Sequence, residues 1–216
     1  MIRRNKGKAL VSSLLILLPM VVGLLLWQQL PEQVAIHWGP SGAADGWAGR
    51  GWAVFVPPLF LFAIHWLCLG ITAADPRNRQ QDPKMVGLIF WLVPVIGLVV
   101  CGSIYAVALG SSLSPAQVIP TGLGVLFLII GNYLPKVQPN YTIGFKLPWT
   151  LNSRENWHRT HRLAGRLWVM GGGVLILVGL LPLSWAIWVQ LGIFLIMALV
   201  PMVYSYCFYR REEQEH

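Results

Sequence analysis

The chain has 216 residues, of which 56% are apolar and only 11% charged, and its mean hydropathy is +0.60. That composition excludes an ordinary soluble domain and places the chain in the membrane class. Its formal charge of +8 is then first a matter of which side of a bilayer holds the cations, and only second a hint of an acidic partner.

The apolar residues gather in six runs, at 9–30, 51–73, 85–109, 118–134, 167–183 and 184–209, each near the roughly 20 helical residues that cross a hydrocarbon core. The first follows "RRNK", as the core of a signal peptide would, but it exceeds the roughly 7 to 15 residues of such a core and reads as a retained span. With the N-terminus inside, every lysine and arginine except Arg50 falls on the inner side, which predicts both termini in the cytoplasm. The expected fold is an all-α, multi-pass protein of the cytoplasmic membrane with six transmembrane helices. Residues 1–73 form an N-terminal helical hairpin carrying an extracytoplasmic loop at 31–50. Residues 85–216 form a four-helix region with a cytoplasmic loop at 135–166.

Within the spans, Gly165, Gly172 and Gly179 recur every seven residues and Gly102, Ala106 and Gly110 every four, which predicts faces where helix backbones approach. Pro57, Pro58 and Pro94 are expected to kink or loosen spans 2 and 3. Short connections around Gly110 to Gln117 and Pro182 to Trp185 make hairpins of spans 3 and 4 and of spans 5 and 6. Cys68, Cys101 and Cys207 lie at unrelated spacing and read as packing residues. All eight acids lie outside the runs, although intramembrane carboxylates are the usual relays of pumps. His65 is the conspicuous ionisable group at depth, expected to be neutral and hydrogen-bonded between helices. Trp27, Trp38, Trp47, Trp52, Trp185 and Trp188 fall near one surface and Trp149, Trp157 and Trp168 near the other, as an aromatic belt.

The outer loop reads "LPEQVAIHWGPSGAADGWAGRGW". Val34, Ile36 and Trp38 alternate as in a short strand, and "GPSG" marks a turn. His37 and Asp45 are too few for a coordination set. With Trp38 and Trp47 they read as a small aromatic cap able to meet an extracellular peptide or lipid. The inner loop ends in "LNSRENWHRTHRLAGRLW", where Asn152 and Glu155 suggest a capping box. Trp157, Thr160, Ala164, Leu167 and Trp168 then share one side of a helix, with Arg154, His158, Arg159, His161, Arg162 and Arg166 largely on the rest. This predicts an amphipathic interfacial helix feeding into the fifth span. A docking face for a cytoplasmic protein is an alternative use. His158 and His161 lack a carboxylate or thiol partner for a metal, and no recognition module supports direct nucleic-acid binding.

The string "GNYLPK", followed by "NYTIGFKLPWTLNSRENWHRTHRLAGR", resembles the signature of the SdpI family of bacterial membrane proteins, and "LPEQVAIHWGPSGAADGW" resembles the small extracytoplasmic domain that often precedes it. The matching positions are Gly131, Asn132, Asn140, Gly144, Pro148, Trp149, Thr150, Trp157, His161 and Arg162. Lys146 and Leu147 stand where the family commonly has arginine and threonine, and lysine lacks the planar fork of a bidentate contact. The resemblance implies a non-enzymatic immunity or sensor protein, meeting the lipid bilayer and a secreted toxic peptide outside and a cytoplasmic repressor inside, with no cofactor and no metal. The alternative is a small transporter or lipid-handling protein with a cleft between glycine-lined helices. An enzyme ranks third, because no nucleophile-base-acid set or cofactor fingerprint is visible.

Overall fold

Apolar runs bounded by proline, glycine and polar residues leave the backbone few choices in a bilayer, where a helix satisfies its own N–H and C=O groups. The structure, a computed structural model that describes residues 1–112, 114–181 and 185–214, has in chain order α1 (Lys6–Leu25), α2 (Arg50–Ala74), α3 (Pro83–Ala108), α4 (Pro115–Tyr133), the short α5 (Pro148–Asn152), α6 (Arg154–Leu180) and α7 (Ala186–Gln214). Six of these, all but α5, are long and apolar enough to span a membrane, and the chain is a multi-pass membrane protein. Large apolar side chains such as Leu14, Leu177 and Leu199 project outward from them, as lipid-facing residues do.

The fifth span is not the short run expected. Its helix runs unbroken from Arg154 to Leu180 over 27 residues, so the segment expected to feed into the span is continuous with it. Nor is Asn152 its cap. The Ser153 hydroxyl accepts from the Asn156 N–H at 3.1 Å, one residue further along. The connection expected around Pro182 to Trp185 lies, apart from Trp185, outside the described residues.

The fold is also not purely helical. Strand β1 (Gln33–Trp38) pairs antiparallel with β2 (Ala44–Gly49), with irregularities between Ala35 and His37 and between His37 and Trp38. The alternation of Val34, Ile36 and Trp38 foretold β1, whereas "ADGWAG" has no β-branched residue to announce β2. Gly42, at φ +79°, closes the turn. Val34 is buried with Leu30, Ala53, Val54, Ile104 and Tyr105, which seats the hairpin on the ends of α1, α2 and α3. The Arg50 guanidinium donates to the Trp27 carbonyl at 3.0 Å and lies 5.1 Å from that residue's ring centre. The hairpin defines one end of the molecule; the loops around residues 75–82 and 134–153 define the other.

Between α4 and α6 the heptad of glycines meets a second one. A methyl group on Gly172 would lie 2.6 Å from the Gly124 carbonyl oxygen, and one on Gly165 would lie 2.7 Å from that of Gly131. Gly179 faces Thr121 and Gln117 in the same way. Backbone therefore rests on backbone along the pair. The four-residue stripe in α3 does not pack like this: Gly102 and Gly110 have open space where a Cβ would stand. Gly110, at φ +85°, instead ends α3, with Gly110 N–H bonded to the Val107 carbonyl and Ser111 N–H to that of Ala106, a Schellman motif.

His65 is fully buried and bonded across to α1, its Nε2 lying 2.9 Å from the Ser12 hydroxyl. That hydroxyl donates to the Ala9 carbonyl, so Nε2 carries a hydrogen and donates it to Ser12. Of the three free cysteines Cys101 is buried, but Cys68 and Cys207 are exposed and do not pack inside.

Candidate functional site

At the end opposite the hairpin, the connection from α4 to α6 is a tightly bonded loop. Asn140, fully buried, is its hub: its side-chain oxygen accepts from the N–H groups of Thr142 (2.8 Å) and Ile143 (2.6 Å), and its amide donates to the carbonyls of Gln138 and Ile143. An Asn ties its own backbone in this way where no helix or strand does so. The chain then turns at Gly144, at φ +96°. A Cβ there would run into Nε2 of His161, so both the backbone conformation and the space require glycine.

His161 reads this turn from α6. Its Nε2 accepts from the Phe145 N–H at 3.1 Å, and its Nδ1 lies 2.8 Å from the Trp157 carbonyl one turn earlier. A carbonyl only accepts, so Nδ1 carries the proton and the ring is a neutral donor on one side and acceptor on the other. The sequence pattern placed His161 among the polar positions of its helix, yet it is fully buried and stacks on Trp157, ring centres 4.1 Å apart. Trp157 is buried too and donates to the Val137 carbonyl at 2.8 Å. It is therefore not a belt residue. Thr150 closes the loop downstream, accepting from Leu147 N–H and donating to the Phe145 carbonyl at 2.7 Å.

Three residues of the α2–α3 connection, none of them anticipated, clamp the loop from the far side. Asp75 accepts from Tyr141 N–H at 2.8 Å, from the Thr142 hydroxyl and from Arg77 N–H. Asn78 donates to the Thr142 hydroxyl at 2.8 Å, and Gln81 exchanges two bonds with the backbone of Gln138. All three are buried. The only signal available beforehand was a short stretch of carboxamides and an acid between two spans, with nothing to say what it faced.

The C-terminal helix supplies the third wall. Trp149 donates to the Ser205 hydroxyl at 2.9 Å and stacks on Tyr209, while Asn156 donates to the Ser205 carbonyl. The structure thus brings together Asn140, Gly144, Trp149, Thr150, Trp157 and His161. Lys146 is exposed and donates to the Thr142 carbonyl at 3.0 Å, and Pro148 opens α5. Asn132 and Arg162 stay outside the cluster: both are exposed and make no hydrogen bond or ion pair among the described residues. His37, Trp38, Asp45 and Trp47 lie at the opposite end. There His37 Nδ1 meets the Asp45 carboxylate at 2.5 Å, with both side chains exposed, and Trp38 packs against the cluster around Val34.

Chemically the loop cluster is a scaffold. Both nitrogens of His161 are engaged, which leaves no base, and Asn140, Thr150 and Asp75 are spent on backbone groups. Among the described residues no three His, Cys, Asp or Glu side chains gather as metal ligands. What the scaffold presents outward is Tyr141, with Arg77 stacked 4.2 Å from its ring centre, and the arginines of the first turns of α6.

A bundle of six spans, a sheet hairpin at one end and an internally bonded loop at the other define a polytopic membrane protein without a catalytic centre among the described residues. The sequence profile described as the SdpI/YfhL protein family matches residues 136–205, which hold most of that loop and its partners on α6 and α7, and over this segment the chain is similar to that family. A second profile, a domain of unknown function (DUF1648), matches residues 14–62, around the hairpin. The immunity protein SdpI of Bacillus subtilis (strain 168) is 21% identical over 204 residues, covering 94% of this chain and 97% of that protein. No solved structure matches the chain.

Proposed function

We propose that the chain is a non-enzymatic immunity protein of the cytoplasmic membrane that protects its cell from a secreted membrane-active peptide. The observation that carries this reading is similarity along 94% of the chain to an immunity protein, in which the matched segment is a rigid, internally satisfied scaffold and not a reactive site. The hairpin faces outward, both termini are cytoplasmic, and the arginine-bearing start of α6 lies along the inner headgroups, in keeping with the distribution of lysine and arginine. The exposed face built on Tyr141, Lys146, Arg159 and Arg162 is the surface on which a cytoplasmic regulator docks. The transporter alternative called for a cleft between glycine-lined helices, but α4 and α6 are packed backbone to backbone.

Expression in cells sensitive to such peptides raises their survival on this reading, and Trp149→Ala and His161→Ala reduce the protection at equal membrane abundance. Survival no better than that of cells without the chain, across a panel of membrane-active peptides, overturns it. For orientation, a cysteine replacing Trp47 reacts with an impermeant maleimide in intact cells and one replacing Lys146 only after permeabilisation; the reverse pattern refutes the topology.

A further inference from the structure

We infer that the hairpin end holds a binding site for a neutral, mainly apolar peptide segment. A cavity of about 560 Å³ opens there beneath the hairpin, between the ends of α3, α4, α6 and α7, within the roughly 300 to 1,000 Å³ of ligand sites. Trp38, Ile104 and Ile187 give it apolar walls, and no lysine, arginine, aspartate or glutamate lines it. His37 stands at its rim, already engaged with Asp45.

One side chain in this lining is out of place for a structural role. Gln190 is only 8% exposed, yet its carboxamide has no hydrogen-bond partner among the described residues. Gln117 lines the same cavity with its carboxamide equally free. Both carboxamides stay open to the cavity, and a few polar groups converging in an apolar cavity are the usual mark of a ligand site. A carboxamide donates and accepts, which matches the N–H and C=O of a peptide backbone. An acyl chain offers it neither. A charged ligand finds no counter-ion in the lining. The choice of a peptide as occupant rests on the immunity reading above.

The test replaces Ile187 with photoreactive p-benzoylphenylalanine in the full chain in membranes, with Leu199, exposed on the outer face of α7, replaced likewise as control. The probe is a biotin-tagged, terminally blocked peptide of leucine and serine. Adduct at position 187 and not at 199, lowered about tenfold by Gln190→Leu as for one lost hydrogen bond, supports the site. Equal membrane abundance and equal tryptophan fluorescence of Gln190→Leu and its parent show that the variant is folded. Equal labelling at both positions, or a phospholipid adduct at 187 in place of the peptide, overturns it. Survival under peptide challenge separates the two ideas. Protection without labelling at 187 and unaffected by Gln190→Leu overturns the cavity site alone, whereas labelling without protection overturns the immunity reading alone.

Discussion

Replacing Gly144 with alanine tests the join between loop and helix. The new methyl group meets two penalties at once. A non-glycine residue at φ +96° is strained by about 1–3 kcal/mol, and the methyl group falls on Nε2 of His161. Moving that ring aside strips the Phe145 N–H of its acceptor, about 1–3 kcal/mol for a buried donor, and disturbs a ring stacked on fully buried Trp157. Together these amount to about 3–6 kcal/mol, at the upper end for a single substitution. His161→Ala alone leaves the Phe145 N–H without its acceptor beside a vacated space, about 2–4 kcal/mol. In the double variant the methyl group has room and only the backbone strain of Gly144→Ala is new, so the two effects fall short of additivity by about 2 kcal/mol. Unfolding of purified protein in mixed micelles, followed by tryptophan fluorescence, reads all three values. A Gly144→Ala protein within about 0.5 kcal/mol of the parent, or strict additivity in the cycle, would refute the contact.

Adjacent glycines in α6 predict opposite outcomes. Gly172→Ala forces α4 and α6 apart, because its methyl group stands 2.6 Å from the Gly124 carbonyl oxygen, and destabilises by about 1–3 kcal/mol. Gly173→Ala meets nothing within 4 Å and is neutral or stabilising by up to about 1 kcal/mol; equal effects in the same unfolding measurement would refute the packing. Asp75→Asn turns an acceptor of three bonds into a group that presents N–H to N–H. It loosens the clamp by about 1–3 kcal/mol, seen as faster hydrogen exchange at the Tyr141 amide, and unchanged protection there counts against the clamp.

The spans were legible because a bilayer imposes length and apolarity on any helix that crosses it, and the seven-residue recurrence of Gly165, Gly172 and Gly179 correctly marked a close approach. Its counterpart in Gly124 and Gly131 went unread, and so did the pairing. At α6 Trp157, Thr160 and Ala164 were legible as one side, but the arginines around them hid that Asn156 and His161 join the same buried stripe. Resemblance drew attention to Asn140, Gly144 and His161, but nothing local could say that His161 reaches the Phe145 amide or that Asp75 reaches Tyr141. Those bonds span 16 and 66 residues. Periodicity is a local signal, and a loop without periodicity is decided by the partners the fold delivers to it.

The unbroken course of α6 has a mechanical consequence. Its 27 residues, at about 1.5 Å each, make a rod of roughly 40 Å with His161 near one tip and Leu181, in the wall of the hairpin-end cavity, just past the other. Along its glycine track the side chains of Leu128, Pro135 and Ile176 sit in the gaps between α4 and α6 and lock the two helices together. A push received beside the cavity would then travel along a stiff lever and emerge at the loop held by Asp75.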